Sequence, residues 1–106
     1  MNPTTKQQII SAISEQKNIS FTYDGHFREC SPHAIGFKEG RINVLVYQFG
    51  GYTSKGPVLA DGRSNWRCLD GSKIIDLVII DGEWHSFENH SRPSTCIDNL
   101  IAEVAF

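Results

Sequence analysis

A mainly β fold is what this 106-residue sequence predicts: one N-terminal helix followed by a small closed or nearly closed barrel. Three observations carry that reading. The apolar pattern changes once, from a helical stripe before residue 18 to short alternating runs after it. Turn residues recur between those runs about every 8–15 positions, as in small all-β folds. A single short sheet would leave exposed edges, and closing it removes them.

The helix is expected over residues 3–17. Asn2 is placed to cap it, with Pro3 at the first position, where a missing N–H costs nothing. Ile9, Ile10, Ala12 and Ile13 form its apolar stripe. Ile19, Phe21 and Tyr23 then alternate with Ser20 and Thr22, as a half-buried strand does. Asp24-Gly25 is the strongest short hairpin signal, because both turn positions need positive φ. His26 to Cys30 should return as the partner strand, with Pro32 ending the pairing. Ala34 to Phe37 is a short apolar piece, and Lys38-Glu39-Gly40 a turn. Arg41 to Phe49, rich in β-branched and aromatic residues, is the best central strand. Gly50-Gly51 should break it, leaving residues 50–64 as an aperiodic, mobile excursion. Trp66 to Leu69 reads as a strand, Gly71-Ser72 as a turn or bulge, and Lys73 to Ile80 as a longer apolar strand. Residues 81–93 form a polar loop. The tail from 94 fits both periods; we take a turn and a closing strand to 106. The expected core unites Ile19, Phe21, Ile42, Val44, Val46, Ile74 and Leu77.

Composition narrows the class of function. The net charge of −2 supplies no global basic field, so any anion must be met by a local patch. No run approaches the ~18 apolar residues of a membrane span. Cys30, Cys68 and Cys96 are odd in number, widely spaced and without a CxxC. The expectation is a reduced, soluble, cytoplasmic protein of one domain, without disulfides and without a membrane partner. Cys30 and His33 are the only tightly spaced pair of metal-ligand types, and no second pair completes a four-ligand set. No metal site and no cofactor are therefore expected. Asp70, Asp76, Asp81, Glu83 and Glu88 show no pattern that acid–base catalysis would need. His85 and His90 sit in the polar loop and should be exposed.

Within residues 9–80 the order of certain residues resembles a WYL-type domain. A helix that includes Ile13 precedes a strand with Ile19, Phe21 and Tyr23; Gly25 turns it; Arg28 follows, then Pro32, Ile35 and Gly36. RINVLVYQFGG stands where that family has its namesake strand, and WRCLDGSKIIDL, with Arg67, Lys73 and Ile74, resembles a later segment. The Trp-Tyr-Leu triplet itself is replaced by Asn43-Val44-Leu45. The resemblance implies an SH3-like or Sm-like barrel of bacterial type. It also implies regulation through a nucleotide, a nucleic acid or another anionic ligand held by a basic pocket, with no catalysis.

Tyr23, Arg28, His33, Tyr47, Gln48 and Arg67 are the candidate binding set. Arginine supplies a planar fork for phosphate or carboxylate, tyrosine a stacking face, and histidine a switchable donor. Paired as in the family, these residues would converge on one barrel mouth, with Tyr23 and Tyr47 as flat walls. The structural alternative makes the tyrosines core residues and the arginines solvated strand residues. Trp66 and Arg67 are neighbours and should face opposite ways, Trp66 being structural. Lys55 and Arg63 are read as part of the loop rather than as a phosphate clamp. The expected function is a ligand-sensing regulatory module that works on a protein partner in trans or as a homo-oligomer. Direct binding of single-stranded nucleic acid is the alternative, and a small hydrolase or metal enzyme a weaker one.

Overall fold

The computed structural model describes residues 1–58, 65–86 and 95–104. Helix α1 covers Pro3–Glu15. The Asn2 side chain caps it, accepting from the N–H groups of Thr4 at 2.7 Å and Thr5 at 3.4 Å. It stops short of Lys17 because Gln16 turns left-handed, at φ 53° and ψ 51°.

Seven strands follow among the described residues: β1 Asn18–Tyr23, β2 His26–Lys38, β3 Arg41–Thr53, β4 Gly56–Pro57, β5 Trp66–Asp70, β6 Ile75–Ile80 and β7 Asn99–Glu103. The sheet is antiparallel, in the order β4-β3-β2-β1-β6, with β5 also on β3 and β7 also on β2. Two tight turns set its centre. Tyr23 pairs with His26 across Asp24 (φ 51°) and Gly25 (φ 77°). Lys38 pairs with Arg41 across Glu39 (φ 50°) and Gly40 (φ 80°). Positive φ at both central positions gives the hairpin twist that matches the strands.

The sequence led us to expect shorter strands. β2 does not end at Pro32, which pairs with Val46 inside the ladder. A register shift between Pro32 and Ala34 absorbs the missing donor, the usual place for proline within a sheet. β3 likewise continues through Gly50-Gly51 to Thr53, and then turns into β4. The expected excursion therefore begins as a hairpin; residues 59–64, including Arg63, lie outside the described residues. β2 and β3 are thus 13 residues each. Each serves two partners in succession, β1 then β7 for β2, and β5 then β4 for β3. These long strands, bent by bulges at Glu29/Cys30 and Pro32/Ala34, curl the sheet into a half-barrel.

Helix α1 packs into the concave side. Ile9, Ala12 and Ile13 join Ile19, Phe21, Tyr23, Cys30, Ile35, Val44, Val46, Leu69, Ile74 and Val104 in one buried cluster. Ile42 and Leu77, expected in its centre, lie at its margin. A second cluster of Ala34, Leu45, Cys96 and Ile97, with Trp66 against it, was not foreseen. The closing strand appears as expected: β7 pairs with Ala34 to Phe37 of β2. The apolar strand β6 starts at Ile75, two residues later than expected, because Gly71–Lys73 form a 3-10 turn capped by Asp70. Among the described residues it pairs only with β1, and Ile75 and Val78 are exposed.

Cysteine usage is the largest departure. Cys68 and Cys96 form a disulfide, with Cα atoms 5.6 Å apart. β5 and the turn before β7 bring together two cysteines 28 positions apart, a spacing that carries no local signal. Cys30 stays a buried thiol. Among the described residues no helix is long and apolar enough to cross a membrane.

Candidate anion-binding cleft

β1, β2 and β5 each turn one candidate side chain toward the same end of the concave face. Tyr23 comes from β1, Arg28 from β2 and Arg67 from β5. Register explains the convergence. Phe21 pairs with Arg28, and Val46 with Arg67, so both arginines share a face with core residues. There they line a cleft of about 660 Å³, together with Asp24, Lys55 and Asn65. Among the described lining residues three side chains are cationic and one is anionic, a local excess on a chain of net charge −2.

Arg28 is the deepest of the cations, only 6% exposed. Its Nη1 donates to Gln48 Oε1 and its Nη2 to the Tyr23 carbonyl, both at 3.4 Å. Its Nε is buried and has no acceptor among the described residues. The guanidinium carbon lies 5.0 Å from the Tyr23 ring centroid, a cation–π contact. No carboxylate of the described residues forms an ion pair with it. Gln48 is fully buried, and its Nε2 donates to the carbonyls of Gly50 at 3.0 Å and Tyr52 at 3.2 Å.

Arg67 is half-buried, and its Nη1 donates to the Trp66 carbonyl at 3.2 Å. Burial lowers its pKa, and the positive charge of Arg28 lowers it further. The two guanidinium groups are thus close enough to repel. Beside them the Cys30 thiol is pushed up strongly by burial, which outweighs the pull of both arginines. It stays neutral and cannot act as their counter-ion.

Tyr23 is not the open wall expected. It is 9% exposed, and its hydroxyl accepts the Asp70 N–H at 3.0 Å. Tyr47 and His33 lie elsewhere. Tyr47 alternates with Val46 and Gln48 and so faces the other way, packing edge-on against Trp66 at 5.3 Å. His33 is fully buried. Its ring stands 4.6 Å from Trp66 and 4.2 Å from Trp84. Its Nδ1 bonds the Ser31 carbonyl at 2.8 Å, and its Nε2 meets the Ser86 hydroxyl at 3.2 Å. With Nδ1 as donor, Nε2 is the acceptor. Through Trp84 and Ser86, His33 anchors the segment that crosses the opposite face. Trp66 is structural, as expected.

That segment, 81–86, is also held by Asn18 Nδ2 on the Glu83 carbonyl and by the His85 N–H on Ser31 Oγ, each at 2.7 Å. His85 is not an exposed loop residue: it is half-buried and stacks on Phe49 at 4.2 Å. His90 lies outside the described residues.

Sequence reasoning set Lys55 aside as part of the loop over 50–64 and gave Asn65 no role. The signal for Lys55 was its place in Ser54-Lys55-Gly56, directly after a long strand; Gly56 has φ 106° and turns the chain back over the cleft. Asn65 carries no comparable signal. No family model, no curated protein and no solved structure matches the chain.

Proposed function

We propose that this chain is a non-catalytic, ligand-sensing module of WYL-like type, binding an anionic ligand in the cleft around Arg28. The reading is carried by one observation: a guanidinium only 6% exposed, with a buried unbonded Nε and no carboxylate partner among the described residues. A buried charge left without its partner costs about 3–5 kcal/mol. An incoming anion recovers much of that. Arg67 and Lys55 at the same cleft favour the same kind of ligand. The order of Tyr23, Gly25, Arg28 and Arg67 along the chain, and a half-barrel behind them, are what support the WYL-like assignment. Occupancy is passed to a protein partner in trans or to another copy.

Titration of a nucleotide and an oligonucleotide into the wild type and Arg28→Ala tests this. The expected result is saturable binding that the substitution weakens about tenfold or more. Affinity indifferent to Arg28 would end the assignment.

A second reading, direct binding of single-stranded nucleic acid, rests on a different surface. Phe27 and Tyr52 stand one step beyond the Arg28–Gly51 pair on adjacent strands, 49% and 52% exposed. Exposed aromatic rings on a sheet are where bases stack. Binding there would survive Arg28→Ala, be lost in Phe27→Ala, and fall steeply with salt.

The cytoplasmic location expected from composition has to be weighed against the Cys68–Cys96 disulfide, which a reducing compartment disfavours. Counting free thiols in freshly lysed cells decides it: three for a reduced chain, one for the oxidised chain.

A further inference from the structure

We infer that the cleft selects the dianionic phosphoryl group of a phosphomonoester, and reads neither a nucleobase nor a phosphodiester. This inference rests on the anion-site reading above and narrows it to one ligand chemistry.

The case against a base is made by the walls. Tyr23 is the aromatic residue lining the cleft among the described residues, and it is 9% exposed. Its ring is engaged by Arg28 and its hydroxyl by Asp70. Tyr47, the other aromatic candidate, packs against Trp66 on the opposite face. Among the described residues, a base entering this cleft finds no free aromatic face on which to stack. What remains for recognition is charge and hydrogen bonding.

Charge argues for a dianion. Among the described residues, two guanidinium groups and the Lys55 ammonium line the cleft with one carboxylate, Asp24. A phosphodiester brings one negative charge and two free oxygens. A phosphomonoester brings close to two charges near neutral pH and three acceptor oxygens. Arginine holds such a group best through two parallel N–H bonds. On Arg28, Nε is the unbonded donor, and Nη2 beside it has only a 3.4 Å contact to the Tyr23 carbonyl. That contact, and the one from Nη1 to Gln48, sit at the long limit of hydrogen bonding. An incoming phosphoryl group competes with these two long contacts for the guanidinium N–H groups. Gln48 stays behind as a fixed stop, because its own amide nitrogen is committed to two carbonyls.

The experiment compares four probes at one ionic strength by titration calorimetry: glycerol 3-phosphate, adenosine 5′-monophosphate, adenosine 3′,5′-cyclic monophosphate and adenosine. The two monoesters should bind within about threefold of each other, since the base adds nothing. The cyclic diester should bind about tenfold or more weakly, and adenosine should show no binding. Arg67→Ala, at the half-buried position, should weaken both monoesters alike while leaving the thermal midpoint close to that of the wild type. A cyclic diester that binds as well as the monoester, yet depends on Arg28, would overturn phosphoryl selectivity and leave the anion site standing. Adenosine binding would overturn it as well, by showing that the base is read. If none of the four binds, both this inference and the anion-site reading fall.

Discussion

Gln48 presents its side-chain oxygen to Arg28 in an orientation that Gln48 itself cannot reverse. Its Nε2 donates to two carbonyls, Gly50 at 3.0 Å and Tyr52 at 3.2 Å, so Oε1 is the atom left to face Nη1 of Arg28. A neutral acceptor positions the cation without cancelling its charge. A carboxylate there would do both.

Gln48→Glu therefore places a permanent anion beside Arg28. Anion affinity should fall about tenfold or more, because the guanidinium already has its partner. The carbonyls of Gly50 and Tyr52 also lose their donor, at a cost of about 1–3 kcal/mol each. Titration together with urea unfolding reads both effects. Unchanged affinity would show that Arg28 does not meet the ligand.

Two glycines distinguish backbone strain from crowding. Gly25 (φ 77°) has open space where a methyl group would stand, whereas at Gly51 (φ 82°) that carbon would collide with the Phe27 carbonyl and lie 2.7 Å from Arg28 Cα. Gly25→Ala should cost only the left-handed backbone, about 1–3 kcal/mol. Gly51→Ala should cost clearly more and disturb Arg28. Equal unfolding midpoints for the two variants would contradict the close approach of β2 and β3.

Core and edge should also separate. Phe21 is 1% exposed inside the main cluster, and Phe21→Ala should destabilise by about 3–5 kcal/mol. Val78 is 55% exposed on β6, and Val78→Ala should stay within about 0.5 kcal/mol. Denaturant titration of the pair checks this, and similar losses would mean that β6 is covered.

Cys30 makes stability depend on alkaline pH. Its folded-state pKa is raised by burial, while an unfolded thiol ionises near pH 8.5. Above that pH the unfolded chain has released a proton that the folded chain retains. Stability then falls as pH rises, by up to about 1.4 kcal/mol per pH unit from this group. Below pH 8.5 the thiol contributes no slope. Cys30→Ala should remove this component, seen as a difference between two pH series of unfolding curves. Parallel curves would show that the thiol is exposed to solvent.

The Cys68–Cys96 bond closes a loop across a separation of 28 residues. Loop-closure entropy assigns it about 3–4 kcal/mol of stability. Reduction, or Cys96→Ser, should lower the unfolding free energy by that order. An unchanged midpoint after reduction would show that packing of Ile97 and Trp66 suffices to hold the segment.

Local rules reached the parts of the fold that depend on few residues. The Asn2 cap, the Asp24-Gly25 and Glu39-Gly40 turns and the switch of period at residue 18 each act within a few positions. Pro32 and Gly50-Gly51 misled because a bulge and a close strand contact, both tertiary features, made room for them. The cleft was half legible. Of the six residues chosen on the resemblance, Tyr23, Arg28 and Arg67 line it and Gln48 bonds Arg28 behind it. The same alternation, applied from Val46, would have sent Tyr47 to the other face. His33 escaped because it sits at the β2 bulge, where counting by twos no longer tells the direction of a side chain.

Strand β6 lies at the end of the sheet path, with Ile75, Val78 and Ile79 exposed along it. An open, flat, apolar edge of this kind would recruit the edges of other copies, the first step toward aggregates. This edge is neither flat nor uniformly apolar. Asp76 takes a left-handed turn at φ 55°, and opposite the step from Ser20 to Thr22 the strand carries one residue more than its partner. The resulting kink interrupts the row of donors and acceptors and places a charge at the break. The residue that breaks this edge is thus an exposed aspartate outside the core, one that strand propensity alone would count as an error.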